Sequence, residues 1–243
     1  MKKSGVFMIL AALFGAAVVT TEFNLFPAPP KAPVQPNWEA IAAWPPDQAD
    51  TVDAVPDPNR SFTAIVLDDS GSMGSEIGDA KTAVVSALSE MAPKDRLTVI
   101  GLNSREIIPF MTVEEAQGVL PGRLADVISD GGTPLTRAVQ ASRQALAQEA
   151  AVAGGFGTYR ILVTTDGQAA DAVALEVEIE DIAANTPIQV ATIGVGIKGG
   201  HVLRRSDLAV FVAIDNVGQL ADALRRAIAE EQSFSATTSF GDQ

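Results

Sequence analysis

The sequence predicts an α/β domain, a doubly wound and mostly parallel sheet with one antiparallel edge strand and helices on both faces. Short runs that are apolar throughout, such as Phe62 to Leu67 and Ile188 to Val195, read as strands covered on both sides, as parallel sheets require. Stretches with apolar residues at helical spacing lie between them, which supplies the crossovers that parallel strands need. Two of the strand runs end in a carboxylate, Asp68 and Asp166. In open sheets of this kind ligands collect at that carboxyl edge, where neighbouring connections diverge.

The elements follow in order. Phe62 to Leu67 is the first strand. Ile77 to Met91 places Ile77, Ala80, Val84, Val85 and Leu88 on one helical face. Leu97 to Leu102 is a second strand, and Ile107 to Met111 returns through Asn103-Ser104-Arg105-Glu106 as an edge hairpin. Val113 to Ile128 reads as a helix interrupted at Pro121-Gly122, because proline lacks the amide proton that an interior helical residue donates. Thr136 to Val152 is a long helix. Tyr159 to Thr165, Ile188 to Val195 and Ala209 to Ile214 are further strands, with helices over Asp171 to Ala184 and Val217 to Glu231. No internal repeat is present.

Four segments divide the chain. Residues 1–23 carry Lys2 and Lys3 before an uncharged run from Ser4 to Thr21, the pattern of an export signal or an N-terminal membrane anchor. Both readings stay open: Gly15-Ala16-Ala17 offers small residues for cleavage, and eighteen residues at ~1.5 Å rise span about 27 Å, enough for a thin hydrocarbon core. Positive charge ahead of the span leaves the bulk of the chain outside the cytoplasm, in the periplasm of a Gram-negative cell, with the inner membrane as a contact if the segment is retained. Residues 24–60 hold nine of the fourteen prolines and form a semi-rigid linker. Both tryptophans, Trp38 and Trp44, lie in it around the helix-compatible Glu39 to Ala43, and the expectation is that they pack onto the flank of the domain; a partner-docking motif is the alternative. Residues 61–232 form the domain. Residues 233–243 lack helical period and read as a flexible tail or docking peptide.

Composition narrows the function classes. A chain of 243 residues with 47% hydrophobic residues builds one domain with a substantial core once the N-terminal segments are set aside. A formal charge of -13 repels nucleic acid, and no basic cluster offsets it. With no cysteine, disulfides, thiolate metal sites and a cysteine nucleophile are excluded.

The chemistry gathers in three loops. Asp68-Asp69-Ser70-Gly71-Ser72 sets a carboxylate and two hydroxyls at alternate positions, Gly131-Gly132-Thr133-Pro134 opens a helix, and Thr165-Asp166-Gly167 closes a strand. All three offer oxygen donors, which suit a hard dication such as Mg²⁺. Taken one at a time, these residues also read as ordinary helix caps. Their joint occurrence resembles the von Willebrand factor type A (VWA) domain and its metal-ion-dependent adhesion site. That resemblance, which covers about residues 60 to 232, implies that Asp68, Ser70, Ser72, Thr133 and Asp166 hold Mg²⁺, or alternatively Mn²⁺ or Ca²⁺. It also implies a Rossmann-like fold, an envelope location of bacterial type and a protein partner that presents Asp or Glu to the ion. Gly131 and Gly132 allow the turn that presents Thr133.

Other residues near these loops have structural readings. Asp69 is expected to point away from Asp68 as a helix-start or surface carboxylate, since neighbouring side chains alternate, with added negative charge near the ion as the alternative; Asp130 is expected to cap the following helix region or to reach a metal-bound water. His201, the sole histidine, falls in Lys198-Gly199-Gly200-His201 and reads as a solvated loop residue rather than a general base. Ser70 to Gly74 is expected to lead directly into the first helix, whose N-terminus would favour an incoming carboxylate. Neutral hydroxyls leave a dication electrophilic, so protein binding is the leading function. A metal-dependent hydrolase or phosphoryl-transfer enzyme is the alternative, and a structural subunit of an envelope assembly the third reading; a hydrolase normally adds a base or a second ion.

Overall fold

The structure, a computed structural model, describes residues 32–46, 57–197 and 199–234; the segment expected to be a signal or anchor lies outside them, as do residues 235–243. Pro33 onward forms one compact unit. Its α-helices and strands among the described residues are α1 (Trp38–Ala42), β1 (Ser61–Leu67), α2 (Ile77–Ala87), β2 (Arg96–Gly101), β3 (Arg105–Thr112), α3 (Val113–Ala125), α4 (Leu135–Val152), β4 (Thr158–Thr165), α5 (Ala172–Asn185), β5 (Gln189–Val195), β6 (Val210–Ile214) and α6 (Leu220–Phe234). They build a six-stranded sheet in the order β3-β2-β1-β4-β5-β6. Every pairing is parallel except that of β2 with β3, so the expected fold class is the observed one.

Period-2 alternation sends each central strand into two cores. From β1, Ile65 and Leu67 face a layer that includes α2, α3 and α6, whereas Phe62, Ala64 and Val66 face α4 and α5. β3 is an edge strand and carries Pro109, tolerated there because an edge residue need not donate to a further neighbour. The strand order places β1 beside both β2 and β4. Chain leaving β1 crosses to β2, and chain returning later adds β4 on the other side, which opens a crevice at the carboxyl ends of β1 and β4.

Two expectations about helices are corrected. α3 runs unbroken through Pro121, because Val113, Ala116, Leu120 and Leu124 are all buried against the sheet and packing on both sides of the proline offsets the lost hydrogen bond. A capping box starts it: Thr112 Oγ1 accepts the Glu115 N–H while the Glu115 carboxylate accepts the Thr112 N–H at 2.9 Å. α2, in turn, begins only at Ile77, after a 3₁₀ segment Gly71–Glu76 that is broken at Gly74 with φ 44°. The first loop therefore does not run straight into a helix N-terminus. α6 extends to Phe234, two residues past the expected domain end.

The two tryptophans part company. Trp44 is 9% exposed and meets Tyr159 edge-on at 4.8 Å, whereas Trp38 is 72% exposed. The expected packing of both onto the flank thus holds for Trp44 alone: Trp38 opens α1, which buries none of its residues, whereas Trp44 lies past the helix end against Tyr159. Asn37 fixes the segment, donating its N–H to Ala184 O at 2.7 Å and its side-chain amide to Asn185 Oδ1 at 3.0 Å. Trp44→Ala is expected to destabilise the domain by about 3 kcal/mol, the usual loss for a large buried aromatic, and Trp38→Ala to change stability by less than about 0.5 kcal/mol. Urea denaturation of each variant checks the contrast, and acrylamide should quench the emission of Trp38 far more than that of Trp44.

Candidate metal centre

The site is built from the ends of β1 and β4. Directly beneath it the buried Thr164 hydroxyl donates to Val66 O at 3.0 Å and accepts the Asp68 N–H at 3.2 Å, which locks the two strand ends together. Asp68, almost wholly buried, accepts the Ser70 N–H at 2.9 Å and the Ser70 hydroxyl at 2.5 Å through Oδ1, and the Asp166 N–H at 3.2 Å through Oδ2. Ser70 Oγ lies 2.9 Å from Ser72 Oγ, and Ser72 Oγ donates to Asp166 Oδ1 at 2.7 Å. Four of the five residues singled out in the sequence therefore form one connected chain of oxygens.

Thr133 reaches the same place by another route. Its loop is bound to the first by Gly71 N–H to Gly131 O at 3.0 Å, and to the third by Ala170 N–H to Thr133 O at 3.1 Å. A β-carbon on Gly167 would sit 3.7 Å from Thr133 Oγ1, so the hydroxyl faces the residue that follows Asp166. Gly131 has φ +75°, the left-handed turn expected of it.

Counting protons exposes the character of the cluster. Three close contacts join Asp68, Ser70, Ser72 and Asp166 through side-chain oxygens, yet only two hydroxyl protons exist to fill them. One contact at 2.5 to 2.9 Å is thus left with lone pairs facing each other between two carboxylates. Burial raises the Asp166 carboxyl above its usual range; the Ser72 hydrogen bond opposes this and the Asp68 and Glu76 charges add to it. An electron-rich, all-oxygen pocket of this kind fits a hard dication. Among the described residues no three His, Cys, Asp or Glu converge on one point, so hydroxyls would have to complete any ligand set here.

A supporting ring of residues was not evident from the sequence. Ser129 donates to Ser70 O at 2.6 Å and accepts the Gly74 N–H at 2.9 Å, pinning the first loop to the second. Asn103 donates its side-chain amide to Gly132 O at 2.9 Å. Serine and asparagine in loops are too common to signal such roles; only Thr164, in Thr164-Thr165-Asp166, stood close enough to a site residue to be suspected.

Asp130, Asp69 and His201 lie around these loops. Asp130 is exposed and accepts the Gly131 N–H at 2.7 Å, so it closes its own turn instead of capping the following helix, whose start at Pro134 has no side-chain cap. Asp69 does point away from Asp68, but as a fully buried carboxylate rather than a surface one; it accepts the Asn103 N–H at 2.7 Å and the Ser104 N–H at 2.8 Å and so terminates the β2–β3 turn. His201 is also corrected. It is 6% exposed and its ring packs 6.0 Å from that of Phe211, because the loop after β5 folds back over the sheet edge instead of projecting into solvent.

An open α/β sheet with an oxygen-lined crevice at its carboxyl edge defines the class. Residues 63–168 match the family model described as the von Willebrand factor type A domain, and the chain carries a domain of that family. Among solved structures it is similar to a von Willebrand factor type A protein from Catenulispora acidiphila, at 17% identity and TM-score 0.60, over 70% of this chain and 42% of that one. It is likewise similar to proximal thread matrix protein 1 from the mussel byssus with a zinc-occupied MIDAS motif (15%, 0.58, 70% and 47%) and to manganese-loaded TRAP of Plasmodium vivax (15%, 0.52, 72% and 74%). The chain spans less than half the length of the first two. None of the curated proteins compared matches it.

Two outcomes follow from this geometry. Asp69→Ala leaves two turn N–H groups without their charged acceptor and is expected to lower stability by about 2–3 kcal/mol, measurable by urea unfolding. For Asp166 the sign is opposite. Its folded pKa lies above the unfolded value, so the ionised group carries a penalty at neutral pH that disappears as pH falls through the folded pKa. Asp166→Asn keeps an acceptor for Ser72 and removes that charge, so in EDTA it should melt about 1–3 °C above wild type at pH 7, with the difference shrinking toward pH 4.

Proposed function

We propose that this chain is an envelope-exported protein-binding module whose von Willebrand factor type A domain grips an acidic residue of a partner through a divalent cation held by Asp68, Ser70, Ser72, Thr133 and Asp166. The observation that carries this reading is the proton-deficient oxygen chain between two carboxylates. When bound, a dication such as Mg²⁺ supplies positive charge and a position for a carboxylate oxygen from outside. Asp68 organises the set: it is buried, fixes Ser70 through two hydrogen bonds and receives the Asp166 N–H. Ser72 is exposed and stands at the mouth, where an incoming side chain would meet it. The solved relatives whose names include a zinc-occupied MIDAS motif or bound manganese support a metal at this place in the fold.

The N-terminal segment would direct export, and the proline-rich stretch would set the domain off the membrane. Among the described residues no helix is long and apolar enough to cross a bilayer; the uncharged run Ser4 to Thr21 is the segment this reading assigns to export or anchoring. The enzymatic alternative has less support. His201 Nδ1 accepts the Leu203 N–H at 3.1 Å, so its lone pair is engaged and cannot take a proton from water at the site.

Isothermal titration with Mg²⁺ and Mn²⁺ tests the metal, and crosslinked capture from membranes with and without EDTA tests the grip. Asp68→Ala and Asp166→Ala are each expected to weaken ion binding more than about 100-fold, beyond what loss of a supporting residue does, and to abolish capture. Capture that persists in EDTA, or turnover of phosphate or ester substrates, contradicts the proposal.

A further inference from the structure

The two edges of the sheet are built differently. β3, at one edge, starts with the exposed Arg105 and Glu106, carries Pro109 and shifts register against β2. Charge, proline and bulges are the features that keep an edge strand from pairing with another chain. β6, at the other edge, reads Val210-Phe211-Val212-Ala213-Ile214, pairs with β5 in unbroken register and has none of these features. Among the described residues it is also the one strand without a buried residue, and Val210 is 61% exposed. An apolar run rich in β-branched residues, left open in this way, is a template for a further strand.

Beside this edge lies a groove of about 640 Å³, with Val210, Val212 and Ile214 on one side and Asp222, Ala223 and Arg226 of α6 on the other. α6 begins just after β6 ends, and at Ala227 it reaches the level of Arg160, near the start of β4, which donates to Ala227 O at 3.0 Å. The helix therefore runs antiparallel to the strands, with Asp222 toward their carboxyl edge and Arg226 toward their amino edge. Both side chains are exposed. The chain beyond α6 is poorly placed to supply the missing strand. α5 joins β4 to β5 across the face that buries Leu175, Ile179 and Ile182, whereas α6 lies on the opposite face with α2. A strand added outside β6 through α6 would step in the direction β5 does but over the other face, a left-handed crossover, which parallel strands almost never make.

A second copy fits both the strand and the charges. We infer that β6 is the interface of a two-fold dimer, in which the edge strands of two copies pair antiparallel about Val212 and join two sheets into one. An axis through Val212 and perpendicular to the sheet sets Val210 against the partner's Ile214 and Asp222 across the seam from the partner's Arg226, each contact occurring twice. Because the axis reverses strand direction, the two carboxyl edges face opposite ways, and a dimer presents its two oxygen-lined crevices to separate partners. The interface uses no ion, so it stands apart from the metal-binding reading.

The chain has no cysteine, so introduced thiols report the register without background. In the full chain, solubilised in mild detergent and EDTA, Val212→Cys is expected to give a disulfide-linked dimer on oxidation, since directly opposed strand residues lie within disulfide reach. Val210→Cys alone should stay unlinked, whereas a mixture of Val210→Cys and Ile214→Cys should link. By light scattering, Arg226→Glu is expected to weaken dimerisation about tenfold, because two opposite-charge contacts become like-charge ones, and Asp222→Arg combined with Arg226→Asp to restore it. Val210→Lys, at an exposed position, should abolish the dimer while the far-ultraviolet circular dichroism stays that of the unmodified chain. An unmodified chain that is monomeric, linkage through Val210→Cys alone, or a dimer that forms only when the residues after Phe234 are removed overturns the inference.

Discussion

Two carboxylates are brought together at the carboxyl ends of adjacent parallel strands, and the surrounding loops are organised around that repulsion. Asp68 and Asp166 converge because β1 and β4 pair in parallel and Thr164 clamps their ends. Among the described residues no cationic side chain is hydrogen-bonded to either. Instead the charge is spread over hydroxyls and backbone N–H groups, which lower its energy without cancelling it. The domain thus keeps a site whose unmet demand is a cation, and β1, β4 and their crossovers are what keep that demand from relaxing.

Holding three loops at one point takes more than the oxygens that face inward. The first loop is bonded to the second through Gly71 and Ser129, the second to the third through Thr133 and Ala170, and the β2–β3 turn joins them through Asn103. Asp69 works on the far side of the same loop, turned away from the site by the alternation of the extended chain. A carboxylate with two backbone N–H partners fixes the turn that carries Asn103, so neighbours in sequence serve the crevice from opposite sides. Such a network resists displacement because moving one loop strands buried polar groups of another.

Much of this was legible in the linear order of residues. Apolar runs separated by helical periods specified a parallel sheet covered on both faces, and the carboxylates at the ends of the Phe62 and Ile161 runs were placed at one edge by topology alone. Readings failed where a long-range neighbour overruled a local rule. Pro121 stays in α3 because four buried residues hold the helix on the sheet. Trp38 and Trp44 differ because the first opens the exposed helix α1 while the second lies past its end and packs on Tyr159. His201 looked solvated among glycines, yet those glycines let the loop fold back onto Phe211.

By itself the sequence determined the strand and helix periods, the edge at which ligands gather and the residue types available there, because burial pattern and donor chemistry are properties of the chain read in order. Only the tertiary structure decided which of those groups touch. The proton shortage among Asp68, Ser70, Ser72 and Asp166 and the buried service of Asp69 join residues tens of positions apart or set neighbours back to back. Ångström distances between such groups arise from packing against the sheet, which no local pattern encodes.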